Sequence, residues 1–161
     1  MKKIEMVDLK GQYNHIKEKV NQSVLKTIES TMFINGPKVK SFQDHLEKYL
    51  DVKHVIPCAN GTDALQIALM GLGLKPGDEV ITADFTFAAT VEVISLLGLT
   101  PILVDVDPKT FNIDIPSIKK AIGPKTKAII PVHLFGQAAD MEEILVLANK
   151  YNLYVVEDNA Q

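Results

Sequence analysis

Two stretches carry residue types that could do chemistry together. The first is Leu153-Tyr154-Val155-Val156-Glu157-Asp158-Asn159-Ala160-Gln161, an apolar run that passes directly into two carboxylates. A β-branched and aromatic run bounded by polar residues reads as an interior strand. In an open parallel sheet, ligands bind just beyond the carboxyl ends of the strands. Asp158 is therefore expected where a ligand would sit. A carboxylate held in a poorly solvated crevice favours a cationic partner such as a protonated pyridine nitrogen, and Gln161 could donate a hydrogen bond to a neighbouring ring oxygen. The competing reading is a solvated pair of acids at a strand end. The second stretch, Asn60-Gly61-Thr62-Asp63, runs from an expected strand into a helix. A helix start offers unpaired N–H groups and a positive dipole end, and together these favour a phosphate. Gly61 would let the backbone approach an anion, and the Thr62 hydroxyl could donate to it. Equally, Asn60 or Thr62 could simply cap the helix, and Asp63 in the first turn could repel a phosphate. Local sequence does not choose between these.

Two further junctions are weaker candidates. In Ala83-Asp84-Phe85-Thr86-Phe87, two aromatics at a strand-to-helix turn could offer a flat surface to a planar ring; one of the two is expected in the core. His133, in Pro131-Val132-His133-Leu134-Phe135-Gly136-Gln137, falls just past a strand and is a candidate substrate contact, with Gln137 beside it. A lone histidine is more often structural. His15, His45 and His54 have no metal-like spacing, so no metal site is expected. Cys58 is the single cysteine, read as a small buried residue at a strand end. Nucleotide-binding motifs fail: Gly71-Leu72-Gly73-Leu74-Lys75-Pro76-Gly77 has the wrong spacing for GxGxxG and follows a helix instead of opening one.

The elements that must hold these residues follow from hydrophobic rhythm. An arm leads into a helix across Asp8–Ser30, where Ile16, Val20, Val24 and Ile28 recur at helical spacing. Gly36-Pro37 breaks it, and a second helix spans about Lys38–Leu50. Strands are expected at His54–Cys58, Glu79–Ala83, Pro101–Val106, Ala128–Val132 and Leu153–Val156. Helices are expected between them, at Asp63–Gly71, Thr86–Leu97, Ile115–Ile122 and Met141–Tyr151. Alternating strands and helices imply an α/β fold, a mainly parallel sheet sandwiched by helices. The length favours one domain over residues 1–161, with an arm and helices in 1–52 and an α/β part in 53–161. Because the sequence stops where a strand would turn into its next connection, a fragment or truncated product is expected.

Composition removes several classes. A net charge of −3 gives no basic field for nucleic acid. All 17 basic residues are lysine, so a bidentate guanidinium clamp on an anion is excluded. Backbone N–H groups, hydroxyls or lysines must do that work. Met1–Met6 lacks the apolar region of a signal peptide, and no apolar run reaches membrane-spanning length. A cytoplasmic location is the default expectation.

In order, the segments Val7-Asp8-Leu9…Gln12-Tyr13, Asn35-Gly36-Pro37…Val39…Phe42, Asn60-Gly61-Thr62-Asp63-Ala64-Leu65, Pro76-Gly77-Asp78-Glu79-Val80-Ile81, Thr86-Phe87-Ala88-Ala89-Thr90, Pro101–Asp107, Lys125–Gln137 and Glu157–Gln161 resemble the DegT/DnrJ/EryC1/StrS family of sugar aminotransferases. These are pyridoxal 5'-phosphate enzymes of the aspartate-aminotransferase fold. The resemblance implies that Gly61 and Thr62 contact the cofactor phosphate with Asp63 in the same loop, and that Phe87 stacks on the pyridine ring. It further implies that Asp158 pairs with the ring nitrogen and that Gln161 reaches the phenolic oxygen. Such enzymes move an amino group from glutamate to a keto sugar carried by a nucleoside diphosphate, and act as homodimers. The family's cofactor-bearing lysine and a phosphate-holding serine lie in a segment beyond the Asp158 strand. That segment is missing from these 161 residues, so the chain alone is expected to be catalytically inactive, the first two-fifths of a family member. The alternative class is a non-catalytic binding or regulatory module related to these enzymes; an unrelated α/β nucleotide-binding domain is disfavoured by the failed motifs.

Overall fold

The computed structural model describes residues 7–161; Met1–Met6, read above as no signal peptide, lie outside the described residues. The chain divides into two compact units with the break after Pro57.

The first unit is helical. Helix α1 (Leu9–Ser30) starts where Asp8 accepts from the Gly11 N–H and ends at Thr31, which is left-handed at φ 54°. Helix α2 (Pro37–Leu50) opens with proline in its first turn, where the missing donor costs nothing. Gly36 precedes it because a Cβ there would lie 2.3 Å from the Met32 carbonyl oxygen. The expected strand His54–Cys58 does not form. Its second residue, Val55, has its backbone groups taken by side chains of α2: Gln43 Nε2 donates to the Val55 carbonyl at 2.8 Å, and the Val55 N–H donates to Glu47 Oε1 at 3.1 Å. A ladder partner would have to displace both. Cys58, expected buried, is correspondingly exposed.

The second unit is the expected α/β layer. Helix α3 (Gly61–Gly71) leads to β1 (Glu79–Ala83), α4 (Ala88–Leu96), β2 (Thr100–Val104), α5 (Ile115–Ala121), β3 (Thr126–Ile130), α6 (Met141–Tyr151) and β4 (Tyr154–Val155). A single 3₁₀ turn, Leu134–Gly136, follows β3. The strands are all parallel in the order β2-β1-β3-β4. Side chains alternate in space as period-2 geometry requires. Ile81 and Ile129 face one cluster with Ile118, Ile144 and Leu147, from α5 and α6. Val80, Ala128 and Ile130 face the other with Leu65, Leu69, Val93 and Ile94, from α3 and α4. Burying each of these isoleucines is worth about 1.5–3 kcal/mol.

This order places a site. After β1 the chain crosses to β2 on one side; after β2 it returns to the other side, to β3. Crossovers of a single hand then put α4 on one face and α5 and α6 on the other. The connections leaving β1 and β3 diverge, and a crevice opens at the carboxyl ends of those strands, the switch point where open α/β sheets bind ligands.

Candidate active site

The crevice contains a cavity of about 270 Å³, near the lower end of the range for small-molecule sites. Gly61 and Thr62 from the start of α3 line it, with Phe87 from the turn after β1 and Asp158 and Gln161 from the segment after β4. Five of the six expected cofactor contacts thus border one space.

At the start of α3, capping and anion binding turn out to be compatible. Asn60 Oδ1 accepts from the Asp63 N–H at 2.9 Å, and Asn60 Nδ2 donates to Asp63 Oδ2 at 3.1 Å. The acid that could repel a phosphate is thereby turned back onto the cap, and Asp63 does not line the cavity. The cap leaves the Gly61 and Thr62 amides without an acceptor among the described residues. A Cβ on Gly61 would meet nothing within 4 Å. Neither conformation nor packing within the chain calls for glycine there, so the open space beside it suits a close-approaching ligand.

Asp158 is held from several sides. Its N–H donates to the Pro131 carbonyl at 2.9 Å and its carbonyl accepts from the His133 N–H at 3.1 Å, which extends the sheet one bridge past β4. Its side chain is nearly buried at 7% exposure. Thr90 Oγ1 donates to Oδ2 at 2.8 Å and the Ala160 N–H to Oδ1 at 3.3 Å. Thr86 Oγ1 lies 3.1 Å from Thr90 Oγ1. A solvated pair of acids is not what forms: only Glu157 is exposed, and it reaches His133.

The aromatics differ from expectation. Neither Phe85 nor Phe87 is in the core; they are 48% and 73% exposed, because β1 ends at Ala83 and both project beyond the sheet. Phe87 borders the cavity. Phe85 instead meets Phe111 and Phe135, with ring centroids 5.8 and 6.5 Å away. Phe111 and Phe135 hold left-handed backbones at φ 59° and 57°, a conformation that costs a side-chain-bearing residue of order 1–3 kcal/mol. Asn112 offsets this strain: its amide donates to the Gln137 and Ala138 carbonyls at 3.1 and 3.0 Å, and its oxygen accepts from the Leu134 N–H at 3.2 Å. Gln161 Oε1 accepts from the Phe135 N–H, which leaves the Gln161 amide nitrogen as the group free to donate toward the cavity.

His133 stands apart. It is buried and does not line the cavity. Its Nδ1 accepts from the Ala139 N–H at 3.1 Å, so the ring proton is on Nε2, which faces Glu157 Oε2 at 2.9 Å. Both nitrogens are engaged in holding the 133–139 loop. Gln137 is exposed and gives its carbonyl to Asn112. Among the described residues, no group of three or more His, Cys, Asp or Glu side chains could hold a metal, and no helix is long and apolar enough to cross a membrane.

Residues 14–161 match the DegT/DnrJ/EryC1/StrS aminotransferase family. The chain belongs to that family. A curated family relative, UDP-2-acetamido-2-deoxy-3-oxo-D-glucuronate aminotransferase of Pseudomonas aeruginosa, is 49% identical over 158 residues, which are 98% of this chain and 44% of the relative. The solved structure of S. venezuelae DesV superposes with a TM-score of 0.96 at 35% identity, covering all of this chain and 43% of that one. NtdA from Bacillus subtilis, solved with bound cofactor PMP, superposes at 0.87 with 42% identity, over 90% of this chain and 33% of its own. The chain therefore spans less than half the length of the family members it matches, and it shares their parallel α/β architecture.

Sequence reasoning assigned no role to Thr86, Thr90 or Asn112. The signal for the threonines was their four-residue spacing across the expected helix start; Thr86 precedes the N-cap Phe87 and Thr90 lies in the first turn of α4.

Proposed function

We propose that this chain is the N-terminal, cofactor-binding part of a pyridoxal 5'-phosphate-dependent aminotransferase that moves an amino group from glutamate to a nucleotide-linked keto sugar, in the cytoplasm and as a homodimer. The observation that carries the reading is the sharing of one cavity by the open amides of α3 and the carboxylate of Asp158. A small molecule with an anionic tail and a cationic aromatic ring satisfies both ends at once.

The residues fit such a group. The Gly61 and Thr62 amides, with the Thr62 hydroxyl, would receive the phosphate; Asp63 serves the same loop indirectly, through Asn60. Phe87 would lie against the ring, and the Gln161 amide nitrogen would donate to its phenolic oxygen. Asp158 would hold a proton on the ring nitrogen. When bound, the cofactor supplies an electron sink for the carbon that bears the amino group. The chain's own part is to orient the ring, keep its nitrogen protonated and exclude water from the buried carboxylate. The amine that carries the cofactor and serves as proton-transfer base would come from a segment beyond these residues, so the 161 residues alone would not turn over.

Two measurements test this. The encoding reading frame should continue past Gln161 into a lysine-bearing segment. The full-length protein should take up pyridoxal 5'-phosphate, with a visible absorption band, and should form 2-oxoglutarate from glutamate beyond one equivalent per site only when a nucleotide-linked keto sugar is present. A frame that closes at Gln161 in a monodisperse protein would replace the reading with a non-catalytic binding module.

A further inference from the structure

Thr90 is an unexpected occupant of its position. It lies in the first turn of α4 at 1% exposure, with Ala89, Val93 and Ile94 also buried on that helix. A hydroxyl in such surroundings is costly unless it is bonded, and valine would fill the same volume without that cost. The bond it makes is to Asp158 Oδ2, 2.8 Å away. A carboxylate oxygen only accepts, and a threonine hydroxyl has one proton, so that proton goes to Asp158. Thr86 Oγ1, 3.1 Å from Thr90 Oγ1, must then donate to Thr90. The hydroxyls form a directed chain from half-buried Thr86, on the cavity wall, through buried Thr90 to the carboxylate. The Asp158 main chain is already fixed by its bonds to Pro131 and His133. What the sheet leaves undetermined is the side-chain torsion, which the 2.8 Å bond from Thr90 to Oδ2 sets together with the longer one, 3.3 Å, from the Ala160 N–H to Oδ1.

We infer that Thr90 is a positioning residue, which locks the Asp158 side chain so that its carboxylate is presented to the cationic ring in the cavity, with Thr86 fixing the Thr90 hydroxyl in turn. The inference rests on the cofactor reading proposed above. It requires the hydroxyl to matter only through Asp158.

The test uses the full-length protein freed of cofactor and titrated calorimetrically with pyridoxamine 5'-phosphate, which cannot condense with lysines. Thr90→Val should raise the Kd about tenfold, the usual effect of removing one partner of a buried charged hydrogen bond. Thr90→Ser, which keeps the hydroxyl, should stay within about threefold of the parent. In an Asp158→Ala background, Thr90→Val should add nothing, because the two residues act as a unit. A Thr90→Val Kd equal to the parent's overturns the inference. So does a serine variant as weak as the valine one, or an equal Thr90→Val penalty with and without Asp158, since either marks a packing role. If Thr90→Val fails to fold, Thr86→Val at the half-buried end must show a smaller loss that also vanishes without Asp158; an undiminished loss overturns the inference. A parent protein that does not bind the probe defeats the cofactor reading itself, a result distinct from all of these.

Discussion

The four helices of the α/β unit begin in two different ways. Helices α5 and α6 are capped by aspartates: Asp114 accepts from the Ser117 N–H and hydroxyl at 2.9 and 2.6 Å, and Asp140 from the Glu143 N–H at 3.2 Å. Helix α6 adds Glu142 and Glu143 in its first turn. Helix α3 is capped by a neutral asparagine, and α4 begins at Phe87 with no side-chain cap. The two starts without an acidic cap border the cavity; the two with one do not. Helix α3 also has an acid in its first turn, Asp63, but that side chain accepts from Asn60 Nδ2 and does not line the cavity, so the difference lies in the cap and in where the acids are directed. Of these four starts only those of α3 and α4 border the cavity, and there the Gly61 and Thr62 amides have no acceptor among the described residues. The acids divide in a similar way: Asp114 and Asp140 cap helices, whereas Asp158 accepts from the Thr90 hydroxyl at 2.8 Å and the Ala160 N–H at 3.3 Å and lines the cavity.

The largest effect should come from Asp158, the acid not committed to a helix. Asp158→Ala in the full-length protein should lower kcat by about 10²–10³-fold, the cost of removing a preorganised charge from an active site; near-normal turnover would detach Asp158 from the chemistry. Next comes a change that makes α3 resemble α6. Asn60→Asp keeps an acceptor for the Asp63 N–H but replaces the Nδ2 donor to Asp63 Oδ2 with a second carboxylate, so the melting temperature should fall slightly. The added charge beside the Gly61 and Thr62 amides should weaken pyridoxamine 5'-phosphate binding by on the order of 1–2 kcal/mol. Unchanged affinity would mean that the anion is met elsewhere. The reverse control is Asp140→Ala, which should cost about 1 kcal/mol of stability through lost capping and leave cofactor affinity unaltered.

The contrast also shows what could be read from sequence. Expected and observed boundaries agree for Glu79–Ala83 and Met141–Tyr151, because strand and helix periods are local properties of the apolar pattern. His54–Cys58 reads equally well as a strand, but ladder formation needs a partner, and side chains of α2 reach Val55. Phe85 and Phe87 were misjudged for a related reason. Hydrophobicity alone does not tell where a strand ends relative to the sheet edge, and four residues past β1 are enough to bring a ring into the open. Among candidate site residues, those at strand and helix ends could be located from position alone. His133 also lies at a strand end, yet its two ring nitrogens are occupied by Ala139 and Glu157, partners 6 and 24 residues away. Thr90 pairs with an acid 68 residues distant. Such pairings are set by the packing of the sheet and leave no mark on local pattern.

Asp107 supplies the smallest test, because it belongs with the acids spent on the chain itself. Its carboxylate accepts from the Lys109 and Thr110 N–H groups at 2.8 and 2.9 Å. These backbone bonds, first that from Lys109 and then that from Thr110, hold its pKa below the usual aspartate range. A carboxyl whose pKa is depressed on folding contributes stability that is present above its unfolded pKa and lost as pH falls through the folded value. The turn that carries Phe111 should therefore loosen only under acid conditions, below the ordinary titration range of aspartate, and by a small amount, since the group is solvated. Amide hydrogen exchange at Lys109 and Thr110 should accelerate there, and in Asp107→Ala it should already be fast at neutral pH. Asp158 should behave differently: with no turn amide beyond Ala160 depending on it, Asp158→Ala should leave exchange at Lys109 and Thr110 unchanged while it lowers kcat. Coupling between the two would show that the acids at this edge form one network instead of two separately committed sets.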